Sequence, residues 1–363
     1  MNFLSQIIGT PVAPRLNWRI AKDDRPDQAC EGPGDTLSKL QIINAVALES
    51  LVSMADAITL VDAVMRDLSS GRVISPQRTV MNVNPATRLG LMPGAMPDLG
   101  RFGLKVVSLS SDAPKYGLPS HQGLMLLFDD VTGRPLAALD THALTRLRTA
   151  AASAVATRIL ARPDAGTLAV IGCGDLAAPH IEAISAVRPI RRVVLWSRTR
   201  ENAQKLAEAR RPFRTQETSV AGDIEEAVQQ ADIVCTLTAS STPVLLGAWL
   251  KPGQHINLVG SSLRAPREAD DEVVARGYFI ADQREHALSQ AGEFCHAVDE
   301  GKVTQDHLKG EIGEVLLGRV PGRADNSQIT IYKSLGHVAQ DICVAEAALS
   351  RAYKSDKVVA AEW

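Results

Sequence analysis

The sequence has few cysteines and no arrangement that uses them together. Its 363 residues include five cysteines, widely scattered and without a CxxC pair. This pattern argues against a disulfide framework and against a zinc knuckle, and we assign no metal site. A reducing cytosol is the simplest compartment for such a chain, so we predict a cytoplasmic location.

An excess of charge of one sign is also lacking, as are long apolar runs. The 39 Lys and Arg residues nearly balance the 41 Asp and Glu residues, for a net charge of −2. This balance provides no electrostatic footprint for nucleic acid or an anionic membrane. There is no apolar run of about 20 residues and no convincing signal peptide, so we expect no membrane span. The expected partner is a small molecule.

Length and patterning predict two domains. At about 150 residues per domain, the chain is long enough for two hydrophobic cores. Beyond a Pro- and Gly-rich arm of about thirty residues, residues up to 148 show short helices and strands, as in an α+β domain. Residues 149–334 alternate strand and helix, which predicts a Rossmann-type doubly wound parallel sheet and an α/β fold class. A helical segment within 335–363 is expected to pack back on the first domain.

A glycine-containing turn follows the first strand of the second half. The predicted strand 168–171 runs into Gly172-Cys173-Gly174-Asp175-Leu176-Ala177, a GxGxxA pattern that opens a helix. Gly172 permits the tight turn, Gly174 lets a pyrophosphate approach the backbone, and Ala177 allows close helix packing. The alternative is a tight turn with no ligand. The alternating context favours a dinucleotide site, although the Asp175 carboxylate would repel a pyrophosphate unless it points away.

The end of the next strand indicates which dinucleotide binds. Ser197-Arg198-Thr199 stands where an NAD site usually has an acidic residue for the ribose hydroxyl. A guanidinium and two hydroxyls suit a 2′-phosphate instead. We therefore predict NADPH as cofactor, with NADH as the alternative. The competing interpretation is a polar strand end, with Thr199 capping the next helix.

Several short segments, taken together, match a known family. They are Leu118-Pro119-Ser120-His121-Gln122, Arg148-Thr149-Ala150-Ala151, the glycine turn, Trp196-Ser197-Arg198-Thr199, Lys251-Pro252-Gly253 with Ile256-Asn257, and Lys333-Ser334-Leu335-Gly336. On these segments the chain resembles the ornithine cyclodeaminase/mu-crystallin family from about Leu37 onward. Several of them resemble its ketimine reductases more than its cyclodeaminases.

The resemblance implies an architecture and a substrate site. Residues 1–148 would bind substrate and form a homodimer, and residues 149–334 would bind the dinucleotide. Arg78, Lys105 and Arg148 would hold the carboxylate of an amino-acid-like substrate, for which guanidinium and ammonium donors are suited. Arg148 and Thr149 are also candidates for contacts to the cofactor phosphates. Further cofactor contacts are assigned to Gly172, Gly174, Asp175, Leu176, Ser197, Arg198, Thr199, Thr236, Leu237, Val259 and Ser334.

Two neighbouring residues are candidates for the chemistry itself. Ser120 and His121 follow a turn and precede a predicted strand, a position expected at the rim of a cleft. With Lys105, they are our predicted catalytic residues. Histidine titrates near neutrality, so His121 is a candidate to supply or orient the proton on the substrate nitrogen. A hydrogen-bonded structural histidine is the alternative.

One departure from the family bears on the reaction. After Val259-Gly260 a cyclodeaminase is expected to carry an Asp, and this sequence has Ser261. Imine reduction needs no such base. We therefore predict imine reduction, and the resemblance implies a cyclic imino acid as substrate, with Δ1-pyrroline-2-carboxylate and Δ1-piperideine-2-carboxylate leading. The alternatives are a cyclodeaminase, an alanine dehydrogenase-like enzyme and a non-catalytic NADPH- and ligand-binding protein.

Overall fold

Two β-sheets with packed helices make up the part of the chain described by this computed structural model, residues 39–209, 217–356 and 358–362. This architecture confirms the predicted α/β class. The predicted N-terminal arm lies outside the described residues, and the domain boundaries stay a prediction.

The first sheet is mostly antiparallel, with strand order β15-β1-β6-β5-β4-β3-β2, and only β1 and β6 pair in parallel. Its strands are β1 (Lys39–Ile43), β2 (Thr79–Asn84), β3 (Thr87–Met96), β4 (Arg101–Ser110), β5 (His121–Asp129), β6 (Pro135–Asp140) and, near the end of the chain, β15 (Val359–Glu362). The strands predicted at 79–83, 103–108, 123–129 and 135–139 are confirmed. Sequence reasoning missed β3 because Gly90, Pro93 and Gly94 interrupt its pattern.

Three helices accompany this sheet: α1 (Ala45–Leu51), α2 (Met54–Leu68) and α3 (Thr141–Leu160). The predicted helix over 53–69 is α2, and Ser53 and Asp56 close a capping box at its start. The predicted cap of α3 is also confirmed, because the Asp140 side chain accepts a hydrogen bond from the backbone of Ala143 at 2.8 Å.

The second sheet is fully parallel, with strand order β13-β12-β14-β11-β10-β7-β8-β9. Its strands are β7 (Thr167–Ile171), β8 (Arg192–Trp196), β9 (Glu217–Val220), β10 (Ile233–Thr236), β11 (His255–Leu258), β12 (Tyr278–Ala281), β13 (Leu308–Glu311) and β14 (Thr330–Lys333). Chain order reverses between β7 and β10, so their carboxyl ends flank the crevice in which doubly wound folds bind ligands. Sequence reasoning missed β9, β13 and β14.

The remaining helices are α4 (Ala177–Val187), α5 (Arg200–Glu208), α6 (Ile224–Gln230), α7 (Asp271–Arg276), α8 (Arg284–Gln290), α9 (Gly292–Asp299), α10 (Ile312–Leu316) and α11 (Val338–Ala352). Helix α11 lies on the first sheet, against β3 and β4. The cross-strand pair Gly94 and Gly103 permits this approach. A Cβ on Gly94 would lie 2.4 Å from the Val338 side chain, so a larger residue there would push the helix away.

No helix among the described residues is long and apolar enough to cross a membrane. The cytoplasmic location stays a prediction.

Candidate active site

Two of the three predicted carboxylate-binding cations share one face of the first sheet. Lys105 on β4 pairs with Met92 on β3, and Leu91, the residue before Met92, pairs with Thr79 on β2. Extending this register by one residue places Arg78 opposite Met92. Because cross-strand partners point to the same side of a sheet, Arg78 and Lys105 lie on one face, two strands apart, about 10 Å.

Asp341 of α11 connects the other cation to this face. Its Oδ1 accepts hydrogen bonds from Lys105 Nζ at 2.9 Å and from Arg148 Nε at 3.1 Å. Lys105 Nζ also donates to Thr145 Oγ1 at 2.6 Å, and Arg148 Nη1 donates to Gln340 Oε1 at 3.1 Å. The structure therefore brings Lys105 and Arg148 onto one buried carboxylate, whose other oxygen has no partner among the described residues.

The third cation is held from the Rossmann side. Arg78 Nη2 donates to the backbone oxygens of Leu335 at 3.0 Å and Gly336 at 2.8 Å. The buried Asp282 carboxylate accepts from the amides of the same two residues, at 2.8 and 2.7 Å. The Nε of Arg78 is buried and donates to no described atom. Arg78 thus has guanidinium N–H groups available to donate hydrogen bonds to an anionic ligand.

Burial sets the protonation of this cluster. Burial lowers the pKa of Lys105 to about 8, a shift that Asp341 opposes and the Arg148 charge reinforces. Burial alone would raise the pKa of Asp341, but the Arg148 and Lys105 charges outweigh it and hold that pKa below its usual value. The site thus combines an ionised carboxylate with an ammonium that titrates near the upper end of the neutral range.

His121 lies on the same face of the sheet as Lys105. It pairs with Leu109, which is four residues beyond Lys105 on β4, so the two side chains point to one side. Burial and the nearby Lys105 and Arg148 charges lower the pKa of His121 to about 4. His121 is therefore a neutral imidazole at pH 7, which does not support its predicted role as a proton source. Ser120 precedes it as an exposed residue whose carbonyl accepts from the Ser110 amide at 2.8 Å.

The glycine turn has the shape that a pyrophosphate requires. Gly172 has φ +105°, and a Cβ there would lie 2.8 Å from the Leu237 carbonyl oxygen, so glycine is needed for the turn itself. A Cβ on Gly174 would meet no atom within 4 Å. The open space beside Gly174 lies just before the N-terminus of α4, where Ala177 is fully buried. These residues fit the phosphates of a dinucleotide.

The Asp175 side chain lies toward α3. Its Oδ2 is 3.8 Å from Nε2 of His142, and its backbone oxygen accepts from Arg146 Nε at 3.1 Å. The carboxylate is well exposed, so water and salt screen its charge. The repulsion between the Asp175 carboxylate and a pyrophosphate, which the sequence analysis raised against a dinucleotide site, is therefore weakened. Leu176 follows as the N-terminal cap residue of α4 and makes no side-chain cap hydrogen bond.

Ser197, Arg198 and Thr199 stand immediately after β8, next to the glycine turn. The Gly172 amide donates to the Trp196 carbonyl at 2.8 Å, which fixes that proximity. Arg198 and Thr199 are exposed, and Thr199 begins α5 without a side-chain capping hydrogen bond. The Thr199 hydroxyl, which the competing interpretation assigned as a helix cap, therefore does not cap α5.

Of the remaining predicted cofactor residues, Leu237, Val259 and Ser334 directly follow strands at the carboxyl edge of the parallel sheet. Thr236 is the last residue of β10, and Thr149 lies on α3. Leu237 donates its amide to Ile171 at 2.8 Å, and Val259 donates to Thr236 at 3.1 Å. The hydroxyls of Thr149 and Ser334 are buried without a partner among the described residues, as expected of groups that await a ligand or water. Thr236 differs, because its hydroxyl donates to the Glu268 carboxylate at 2.7 Å.

Sequence reasoning missed the acidic half of the site, Asp341 and Asp282. Asp341 stands in an otherwise largely apolar helical stretch from Val338 to Leu349, and a charge in a buried helix face was the available signal. Asp282 directly follows β12, at the carboxyl edge of the sheet where sites form.

The position of the missing cyclodeaminase acid is occupied by a serine with internal partners. Ser261 Oγ is 2.6 Å from the carbonyl oxygen of Pro266. Nearby, Asp270 caps α7, and Asp271 pairs with Arg267 and His296. Both carboxylates are half-buried and engaged with these partners.

A doubly wound parallel sheet with a glycine turn at its carboxyl edge, in one chain with a mostly antiparallel sheet that carries Lys105, is the fold class of dinucleotide-binding proteins. The chain belongs to the ornithine cyclodeaminase/mu-crystallin family, whose model matches residues 39–356. This confirms the resemblance found in the sequence.

Individual relatives have related names. The ketimine reductase mu-crystallin of Mus musculus is 35% identical over 277 residues, 76% of this chain and 84% of that protein. A Delta(1)-pyrroline-2-carboxylate reductase of Bacillus cereus is 35% identical over 307 residues, 84% of this chain and 94% of that protein. The Thermococcus litoralis Delta(1)-pyrroline-2-carboxylate reductase, solved with NADH and L-proline, superposes with a TM-score of 0.83 at 33% identity, covering 87% of this chain and 98% of that one.

Proposed function

We propose that this protein is a nicotinamide-dependent reductase of cyclic ketimine carboxylates. The leading reactions are Δ1-pyrroline-2-carboxylate to L-proline and Δ1-piperideine-2-carboxylate to L-pipecolate. The observation that carries the proposal is the junction of Lys105 and Arg148 on Asp341, with Arg78 on the same sheet face, beside a dinucleotide turn. The names of the relatives support the same reaction class.

The cations bind the substrate through its carboxylate. Arg78 retains a buried Nε that donates to no atom in the described part of the chain, and Lys105 has one ammonium proton beyond those given to Thr145 and Asp341. Charge-assisted contacts to a carboxylate are strong in such a buried setting. Because the imine carbon is bonded to the carboxylate carbon, gripping the carboxylate fixes the position of the reacting carbon.

Reduction requires a hydride at the imine carbon and a proton at the nitrogen. A nicotinamide cofactor at the glycine turn would supply the hydride when bound. Lys105, with a pKa of about 8, is the better proton source, because His121 is neutral above pH 5. The neutral His121 can orient the substrate or a water molecule. Asp341 keeps Lys105 protonated at neutral pH through its negative charge.

The finer assignments are part of the same proposal. We propose NADPH as the preferred cofactor on the basis of the exposed Arg198 and the absence of an acidic residue at 197–199. The solved relative above holds NADH, so NADH is the competing cofactor. A homodimer formed by the first domain is likewise proposed.

The reaction is tested by following absorbance of NADPH and NADH with the purified chain. Substrates are pyrroline, piperideine and thiazoline carboxylates, with pyruvate plus ammonium and with ornithine as controls. Oxidation with the cyclic ketimines alone supports the proposal. Oxidation that requires ammonium indicates an alanine dehydrogenase-like enzyme, and turnover of ornithine indicates a cyclodeaminase. Tight cofactor binding without turnover of any substrate indicates a binding protein.

A further inference from the structure

A buried carboxylate outside the cation cluster joins two loops at the cofactor edge of the parallel sheet. Glu268 is fully buried, and its carboxylate accepts four hydrogen bonds. Oε1 accepts from the Thr238 amide at 2.6 Å and from the Thr238 hydroxyl at 2.7 Å. Oε2 accepts from the Thr236 hydroxyl at 2.7 Å and from the Gly260 amide at 2.6 Å. The loops after β10 and β11 are thus attached to one side chain.

A second pair of charges extends this connection to a third strand. The backbone amide of Glu268 donates to Glu293 Oε1 at 3.0 Å. Glu293 Oε2 lies 2.8 Å from Nζ of Lys333, and both side chains are fully buried. Lys333 is the last residue of β14 and precedes Ser334, one of the predicted cofactor contacts. Charges buried this deeply are costly unless each has its partners.

The loop that Glu268 holds is in contact with the glycine turn. A Cβ on Gly172 would lie 2.8 Å from the Leu237 oxygen and 3.0 Å from Cγ2 of Thr238. A Cβ on Gly260 would lie 2.0 Å from the Thr238 oxygen and 2.5 Å from Glu268 Oε1. With so little free space, a shift of Thr238 must move its neighbours as well. The position of Glu268 therefore determines the shape of the wall facing the turn.

We infer that Glu268 is a positioning residue for the dinucleotide, which sets the loops after β10 and β11 at the distance from the glycine turn that the cofactor requires. This inference rests on the proposed function, because it presupposes a dinucleotide at that turn. Glu268 itself touches neither cofactor nor substrate. It acts through Thr238 and Gly260.

The decisive variant is Glu268→Gln. An amide keeps the size of the side chain but replaces one acceptor oxygen with a donor. A threonine hydroxyl can rotate to accept from that donor, whereas a backbone amide cannot. Either the Thr238 or the Gly260 amide therefore loses its acceptor and faces another donor, and its loop must move.

The matched control is Asp232→Asn, at the amino end of the same sheet. Asp232 precedes β10, and its Oδ2 accepts from the amides of Gly166 at 2.9 Å and Thr167 at 3.0 Å. It is also a carboxylate that holds a loop, but at the edge away from the cofactor. A purely structural role of Glu268 predicts the same consequences for both variants.

The measurements are the dissociation constants of NADPH and NADH by nicotinamide fluorescence, the ketimine KM at saturating cofactor, and Tm. For Glu268→Gln we expect cofactor dissociation constants to rise about tenfold or more, with ketimine KM changed less than about threefold. For Asp232→Asn we expect a lower Tm and unchanged cofactor binding. Should Glu268→Gln fail to fold, Thr238→Val removes one of the four bonds, and its cofactor affinity is expected to fall about fivefold.

The inference is overturned if the variant that is measured binds dinucleotide as the unsubstituted protein does, or if Asp232→Asn weakens binding equally. An unsubstituted protein that binds neither NADPH nor NADH contradicts the proposed function instead, and the two failures are thereby distinguished.

Discussion

Lys105 Nζ lies 2.9 Å from Asp341 Oδ1 in an ion pair whose two side chains are almost entirely removed from water, at 1% and 0% exposure. The residues are 236 positions apart, one on a strand and the other on the helix that covers it. A buried pair of this kind adds little net stability but is costly to break, because the remaining charge has no solvent. The pair therefore makes Lys105 available as an ammonium in a dry site.

Replacement of Lys105 by Met should weaken substrate capture. The loss of one charge-assisted contact to the carboxylate costs about 1.5–3 kcal/mol, or roughly one to two decades in kcat/KM for the ketimine. Steady-state kinetics at saturating cofactor measure this loss. Lys302→Met, which removes an exposed lysine outside the cation cluster, is the control. Full kcat/KM on every ketimine in Lys105→Met would show that Lys105 is wrongly assigned.

Asp341→Asn should destabilise the fold. It leaves Lys105 and Arg148 buried beside a neutral amide, which we expect to lower the free energy of unfolding by about 3 kcal/mol or more. Urea denaturation at pH 7 measures the change. Asp299→Asn removes an exposed partner of Arg264 and should cost less than about 1 kcal/mol. Equal losses in the two variants would contradict the buried-pair account.

The pH dependence of kcat/KM should report Lys105. Its ammonium form is needed both to grip the carboxylate and to protonate the nitrogen, so activity is present below pH 8 and is lost as pH rises through about 8. His121, with a pKa of about 4, should contribute no change between pH 5.5 and 7.5. We therefore expect His121→Gln to keep the shape of the profile in that window. A limb near pH 6.5 that disappears in His121→Gln would show that His121 does titrate there.

Arg198→Asp tests the choice between NADPH and NADH. A carboxylate at the ribose repels a 2′-phosphate and can accept from a 2′-hydroxyl, so we expect kcat/KM with NADPH to fall at least about tenfold while that with NADH holds or rises. Arg192→Asp makes the same charge change at the other end of β8 and should leave the preference unchanged. Equal or better use of NADPH by Arg198→Asp would refute a phosphate-binding Arg198.

The two glycines of the turn should respond differently to alanine. Gly174→Ala places its Cβ in open space, so stability should stay within about 0.5 kcal/mol while dinucleotide binding weakens at least about tenfold. Gly172→Ala combines φ +105° with a contact of 2.8 Å to the Leu237 oxygen and should lose at least about 1 kcal/mol. Thermal melts and fluorescence titration measure both quantities. Unchanged cofactor affinity in Gly174→Ala would place the pyrophosphate elsewhere.

The sequence by itself determined the features that depend on near neighbours along the chain. The strand, glycine turn and helix around Gly172 follow from local sterics. Helices α2 and α3 begin where the side chains of Ser53 and Asp140 accept a hydrogen bond from the backbone amide three residues further on. The alternation of strands and helices after residue 160 was enough for the Rossmann class, since parallel strands need crossovers. The family, too, could be inferred from short segments.

The tertiary structure decided what depends on distance through space. Only the packing of α11 on Gly94 and Gly103 brings Asp341 to Lys105. Burial, together with the charges of Lys105 and Arg148 that the fold places nearby, lowers the pKa of His121 to about 4. Glu268 carries no signal of its role in the sequence, because its four partners come from two loops that meet only in the folded sheet. Electrostatic energies depend on separation and on solvent access, and neither is encoded in the order of neighbouring residues.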